Sequence, residues 1–162
     1  MLKAWLLTLS PIDLGVLALV MLIQLVASSL GMWAYSLVTL IGTVGHELAH
    51  FLVALVLGAN PSFPNIIPER TKTGWRLGSV VFRAGFVRAV PIALAPLLLA
   101  PLGQWWASRF LHPASGLWYC AHEWMAGTLV MASLPSRQDW TVAAPFFLLA
   151  GSLWAGFEWI TR

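Results

Sequence analysis

Charge is what this chain has least of. Only 9% of its 162 residues are Asp, Glu, Lys or Arg, against about 25% in an ordinary soluble domain. With 59% hydrophobic residues and a mean hydropathy of +0.81, the composition is that of an integral membrane protein and excludes a water-coated globule. Cysteine is nearly absent. Cys120 stands alone, which excludes an internal disulfide framework and reads as a buried thiol. No internal repeat, linker or soluble domain is visible. Residues 1–13 carry one lysine, Lys3, a short apolar patch and no small-residue cleavage site, so they do not read as a cleavable signal peptide. The net charge of +3 does not point to nucleic acid. Its few basic residues lie between apolar runs, where membrane orientation accounts for them.

What is present is a series of apolar runs. Residues 3–9, with Trp5, read as an interfacial segment, and Ser10 or Asp13 caps the helix that follows. Spans are expected at about 14–31, 36–58, 87–106, 116–134 and 140–159: an all-α integral membrane protein of about five transmembrane helices in one domain. Ten tryptophans suit the aromatic belts of a bilayer. Gly58, followed by Asn60 and Pro61, ends the second span. Pro61, Pro64 and Pro68 then exclude a helix from the loop 59–86. Apolar runs at 63–67 and 75–82 flank the polar residues 69–74, the pattern of a β-hairpin with a charged turn. Pro91, Pro96 and Pro101 kink or partly unwind the third span, a place for a water channel or gate. If the N-terminus is cytoplasmic, Lys3, Arg70, Lys72, Arg76, Arg83, Arg88 and Arg137 fall inside and only Arg109 and Arg162 outside. That positive-inside bias places the 59–86 loop on the cytoplasmic face, in what reads as a prokaryotic plasma membrane.

The chemistry is concentrated in the second span, at Gly45-His46-Glu47-Leu48-Ala49-His50. Residues four apart share a helix face, so His46 and His50 can offer two imidazoles to one metal ion. Glu47 is placed to act on water without being a ligand, the H-E-x-x-H arrangement of zinc hydrolases. Three ionisable side chains within five residues of an apolar run are expensive there and mark a functional site. Gly42 and Gly45 let a neighbouring helix or substrate come close. A third ligand is needed, and the candidates are Asp139, Glu123, His122, His112, Asp13 and Glu158. Asp139, at a helix break on the side toward which the second span runs, is favoured. His122 and Glu123 read as a buried polar pair. His112, Glu158 and Arg109 read as interfacial.

On these residues the chain resembles the site-2 proteases, which are intramembrane zinc metalloproteases. The resemblance rests on His46-Glu47-x-x-His50 within an apolar helix, on the hairpin-like loop after it, and on Ser133-Leu134-Pro135-Ser136-Arg137-Gln138-Asp139. The last is similar to the family's Leu-Pro turn that leads to a ligand aspartate. It covers roughly residues 36–140. It implies His46, His50 and Asp139 as ligands of one Zn²⁺ per chain and Glu47 as general base. It also implies a loop that pairs with substrate, here through Trp75, Leu77, Val80 and Phe82. The substrates it implies are single-span membrane proteins or signal peptides in the lipid bilayer. Ser133 and Trp140 stand where the family often has Asn and Gly, so the group that steadies the oxyanion is not given by the motif. Two other readings compete. One is a metal-binding scaffold without activity, which would have no need of Glu47. The other is a metal transporter, which usually shows repeat-related broken helices.

Overall fold

The computed structural model describes residues 10–71 and 74–161. The expected interfacial segment 3–9, Lys72 of the turn and Arg162 lie outside them. The chain is mostly helical: α1 Pro11–Ala27, α2 Met32–Val38, α3 Leu40–Val56, α4 Phe86–Ala93, α5 Leu99–Phe110, α6 Gly116–Ala132 and α7 Arg137–Thr161, with a 3-10 turn at Ala95–Leu98 between α4 and α5. One antiparallel pair of strands, β1 Glu69–Thr71 and β2 Gly74–Arg76, lies between α3 and α4.

Local signals explain the helix starts. Ser10 caps α1: its Oγ accepts the Asp13 N–H at 3.2 Å while the Asp13 carboxylate accepts the Ser10 N–H at 2.7 Å, a reciprocal capping box. Gly58, at φ +64°, takes the left-handed conformation that follows the last turn of α3.

Among the described residues, two helical stretches are long and apolar enough to cross a membrane, Phe86–Phe110 and Arg137–Trp159. A third counts only if α2 and α3, bent by 74° at Thr39, form one span. The expected alternation of five spans is not what the structure shows. In an up-and-down chain the first and fourth spans are antiparallel, yet α1 and α6 run the same way. Asp13 meets Tyr119, a Cβ on Gly127 would touch Leu17 and Val20, and Gln24 meets Thr128. The expected second span is bent for a local reason. The helix breaks at Thr39, whose Oγ1 donates to Tyr35 O at 2.8 Å, and α2 turns aside.

The expected third span runs from 86 to 110, loosened into the 3-10 turn at Ala95–Leu98 among its prolines, and it runs against α6, with Gly103 facing Ala126 and Leu129. It also runs against α3, with Leu99 near Gly45 and Ile92 by His50. Cys120, expected to be buried, is exposed. Leu117, one turn before it, is exposed as well.

The hairpin is real but shifted. Its ladder pairs Glu69 with Arg76, Arg70 with Trp75 and Thr71 with Gly74, so Glu69 belongs to a strand and not to the turn. Beyond Pro68 the pairing resumes as a single bridge between Asn65 and Ser79. The loop then folds back: Phe82 and Ala84 pack on a buried cluster of Ala54, Ala59 and Ile92.

Candidate metal centre

Three segments bring the site together. His46 and His50 project from α3, and Asp139 sits in the first turn of α7. The Ser136 N–H donates to Asp139 Oδ2 at 2.7 Å, and the Asp139 N–H donates to Ser136 Oγ at 3.3 Å. The residues expected to form a polar break are therefore a second capping box that fixes the carboxylate. The Nε2 atoms of His46 and His50 lie 3.2 Å apart. They stand 3.5 Å and 3.3 Å from Asp139 Oδ2 and Oδ1. One ligand atom from each of the three residues falls within 4.8 Å of the others, and the group can hold a metal ion.

The backbone decides which ring nitrogens face inward. His46 Nδ1 lies 2.8 Å from Ala132 O and His50 Nδ1 lies 2.7 Å from Ile92 O. A carbonyl can only accept, so each Nδ1 carries the proton and donates, leaving the Nε2 lone pair free in the neutral ring. Two lone pairs and a carboxylate thus converge with no donor among them. Such a donor set fits a cation, and the Nδ1–H bonds are the outer contacts that fix metal-binding imidazoles.

Both carbonyls are available for a readable reason. Ile92 O would normally take the N–H of residue 96, but Pro96 has none. Ala132 ends α6, where carbonyls lack helical partners. The prolines of the third span were expected to open a water path. Of the residues between 87 and 106, only Ala93 lines the cavity at the site. The visible contribution of Pro96 is the carbonyl that holds His50.

Glu47 is buried but stands outside the ligand group. It lines the same cavity of about 990 Å³ as the two histidines and Asp139. The loop closes against it: a Cβ on Gly78 would lie 2.6 Å from Glu47 Cγ and 2.7 Å from its Oε1. A larger residue there would have to push the Glu47 side chain aside. Trp75, Leu77, Val80 and Phe82 all line this cavity. Ser62 N–H donates to Val81 O at 2.7 Å and Asn65 N–H to Ser79 O at 2.9 Å. With Ser79 and Val81 turned toward that neighbour, the backbone groups of Val80 point to the other edge.

The remaining candidates lie elsewhere. Glu123 is buried and reaches Tyr119 Oη at 3.1 Å, and Tyr119 donates to Asp13 Oδ1 at 2.7 Å. Glu123 and Asp13 thus belong to a separate polar cluster between α1 and α6. His122 is not paired with Glu123, since consecutive helix residues face different ways. Its ring stacks on Phe110, centroids 5.5 Å apart. His112 and Glu158 are not in the ligand group. Gly78, the two holding carbonyls, and the buried Gln24 and Thr128 in the cavity wall were not foreseen from the sequence. Pro96 and a lone glutamine in an apolar run were the available signals. Compared with protein-family models, curated proteins and solved structures, the chain matches none.

Proposed function

We propose that the protein is an intramembrane zinc endopeptidase of the site-2 protease kind, acting on transmembrane or signal-peptide segments. The observation that carries this reading is the convergence of two Nε2 atoms and a carboxylate beside a buried glutamate that is not a ligand. His46, His50 and Asp139 would hold the zinc. Bound there, zinc supplies Lewis-acid chemistry, acidifying water and polarising a peptide carbonyl. Glu47 takes the proton from the attacking water and returns it to the leaving amine. Gly78 keeps the Glu47 carboxylate under the loop and away from bulk water. The free edge at Val80 offers an N–H and a C=O to an unwound substrate by strand addition.

Membrane residence is supported by the two long apolar helices and by large exposed side chains along α1 and α7, among them Leu19, Leu22, Leu148 and Trp154. Water-soluble folds do not leave such faces bare.

Metal analysis of detergent-purified protein, paired with cleavage of a panel of single-span reporters, tests the proposal. About one zinc per chain is expected in the wild type, with none in His46→Ala. Glu47→Gln should keep its zinc and lose all product. Product that persists in Glu47→Gln, or wild type that takes up no zinc, would overturn it.

A further inference from the structure

The cavity has a second wall, opposite the loop, and it is polar. Gln24 of α1 and Thr128 of α6 are both buried, 2% and 1% exposed, and Gln24 Nε2 donates to Thr128 Oγ1 at 2.8 Å. A glutamine this deep in an apolar helix is costly unless its groups are used. One N–H is. The second N–H and the Oε1 bond to nothing among the described residues, Oε1 is not sealed off, and Gln24 lines the cavity. Of the other polar side chains near it, Thr39 Oγ1 donates to Tyr35 O and Ser133 Oγ to Val130 O, while Tyr35 and Thr43 also line the cavity.

We infer that Gln24, oriented by Thr128, binds a main-chain peptide group of the substrate about two residues from the bond that is cut. This rests on the proposed peptidase reading. A carboxamide that presents one acceptor and one donor matches the N–H and C=O of one residue in an extended strand, which point to the same edge.

The spacing follows from α3. Thr128 packs on Gly42, where a Cβ would come within 2.8 Å of its Cγ2. Gly42 is one turn before His46, a rise of about 6 Å. Two residues of extended chain cover about 6.6 Å. A strand that ran beside α3 from the Val80 edge would meet Gln24 about two residues from a bond held at His46 and Glu47.

The test uses binding, so that it needs no natural substrate. The zinc-loaded full chain in detergent is titrated with three probes: acetohydroxamate, a leucine-rich tripeptide hydroxamate, and the tripeptide analogue with an ester in place of the amide two residues from the hydroxamate. The wild type should bind the amide about 10-fold tighter than the ester, the scale of one hydrogen bond. Gln24→Leu should erase that ratio while leaving zinc content and acetohydroxamate affinity unchanged. Thr128→Val, which keeps the carboxamide but frees it, should reduce the ratio part of the way. An amide-to-ester ratio that survives Gln24→Leu, or is absent from the wild type while acetohydroxamate binds, overturns the role of Gln24 and leaves the metal site standing. Failure of acetohydroxamate to bind the wild type overturns the metal reading itself, and this inference with it.

Discussion

Two aspartates in this protein have the same local structure and different work. Asp13 and Asp139 each sit three residues after a serine, each accepts that serine's N–H at 2.7 Å, and each closes a capping box at the start of a helix. Helix-start chemistry alone cannot tell them apart. Their second contacts can. The remaining oxygen of Asp13 takes the Tyr119 hydroxyl, in a cluster completed by Glu123. The carboxylate of Asp139 faces two imidazoles whose lone pairs point at it. A hydroxyl satisfies a carboxylate, whereas two lone pairs leave it in need of a cation. The capping box sets where the oxygen points, and the partner from a distant helix sets what it does.

The largest expected break in this comparison is Asp139→Ala against Asp13→Ala. The first should lower metal affinity by at least about 100-fold, since a direct ligand is removed and even outer contacts cost 10–100-fold. The second should keep one metal per chain and lose about 2–3 kcal/mol of stability through the cap and the Tyr119 bond. Metal analysis beside thermal unfolding reads both, and loss of metal in Asp13→Ala would collapse the distinction.

Gly78→Ala tests whether the loop contact belongs to the metal end alone. Displacing Glu47 by the added Cβ should cut turnover of a cleaved reporter by about 100-fold, the scale of a 1 Å misplacement, with metal content intact. Unchanged turnover would show that the loop yields.

A smaller effect separates the two serines. Ser136→Ala and Ser10→Ala should each cost about 1 kcal/mol. Only Ser136→Ala should also weaken metal binding, by about 10-fold, because it loosens a ligand. Equal metal affinity in the two variants would mean that the capping box does not position Asp139.

The smallest change is at the hairpin. Arg76→Ala removes an exposed ion pair with Glu69 at 2.8 Å and should shift stability by no more than about 0.5 kcal/mol.

Much of the site was legible because its parts are local. His46, Glu47 and His50 share one helical turn and its neighbour, and Asp139 follows a Leu-Pro turn. The hairpin was legible too, apart from its register, which Pro68 interrupts. The relative direction of helices was not. Alternating spans are a default assumption, and nothing in residues 28–39 announces that the chain turns aside at Thr39, so that α1 and α6 lie parallel. The pairing of Asp13 with Tyr119 depends on that packing, and so does the face on which Gln24 appears. His122 and Glu123 misled for the opposite reason: adjacency in sequence suggested a pair that a helix holds apart.

Pro96 gives assembly a means of checking itself. Until α3 docks, the Ile92 carbonyl lacks its usual donor four residues on, and a buried carbonyl left without a good partner would cost about 1–3 kcal/mol. His50 Nδ1 supplies that bond at 2.7 Å, and the same bond turns Nε2 toward His46 and Asp139. A wrongly docked pair of helices is thus penalised at the atom whose orientation matters to the site. Correct folding and a correctly set ligand are scored by one hydrogen bond.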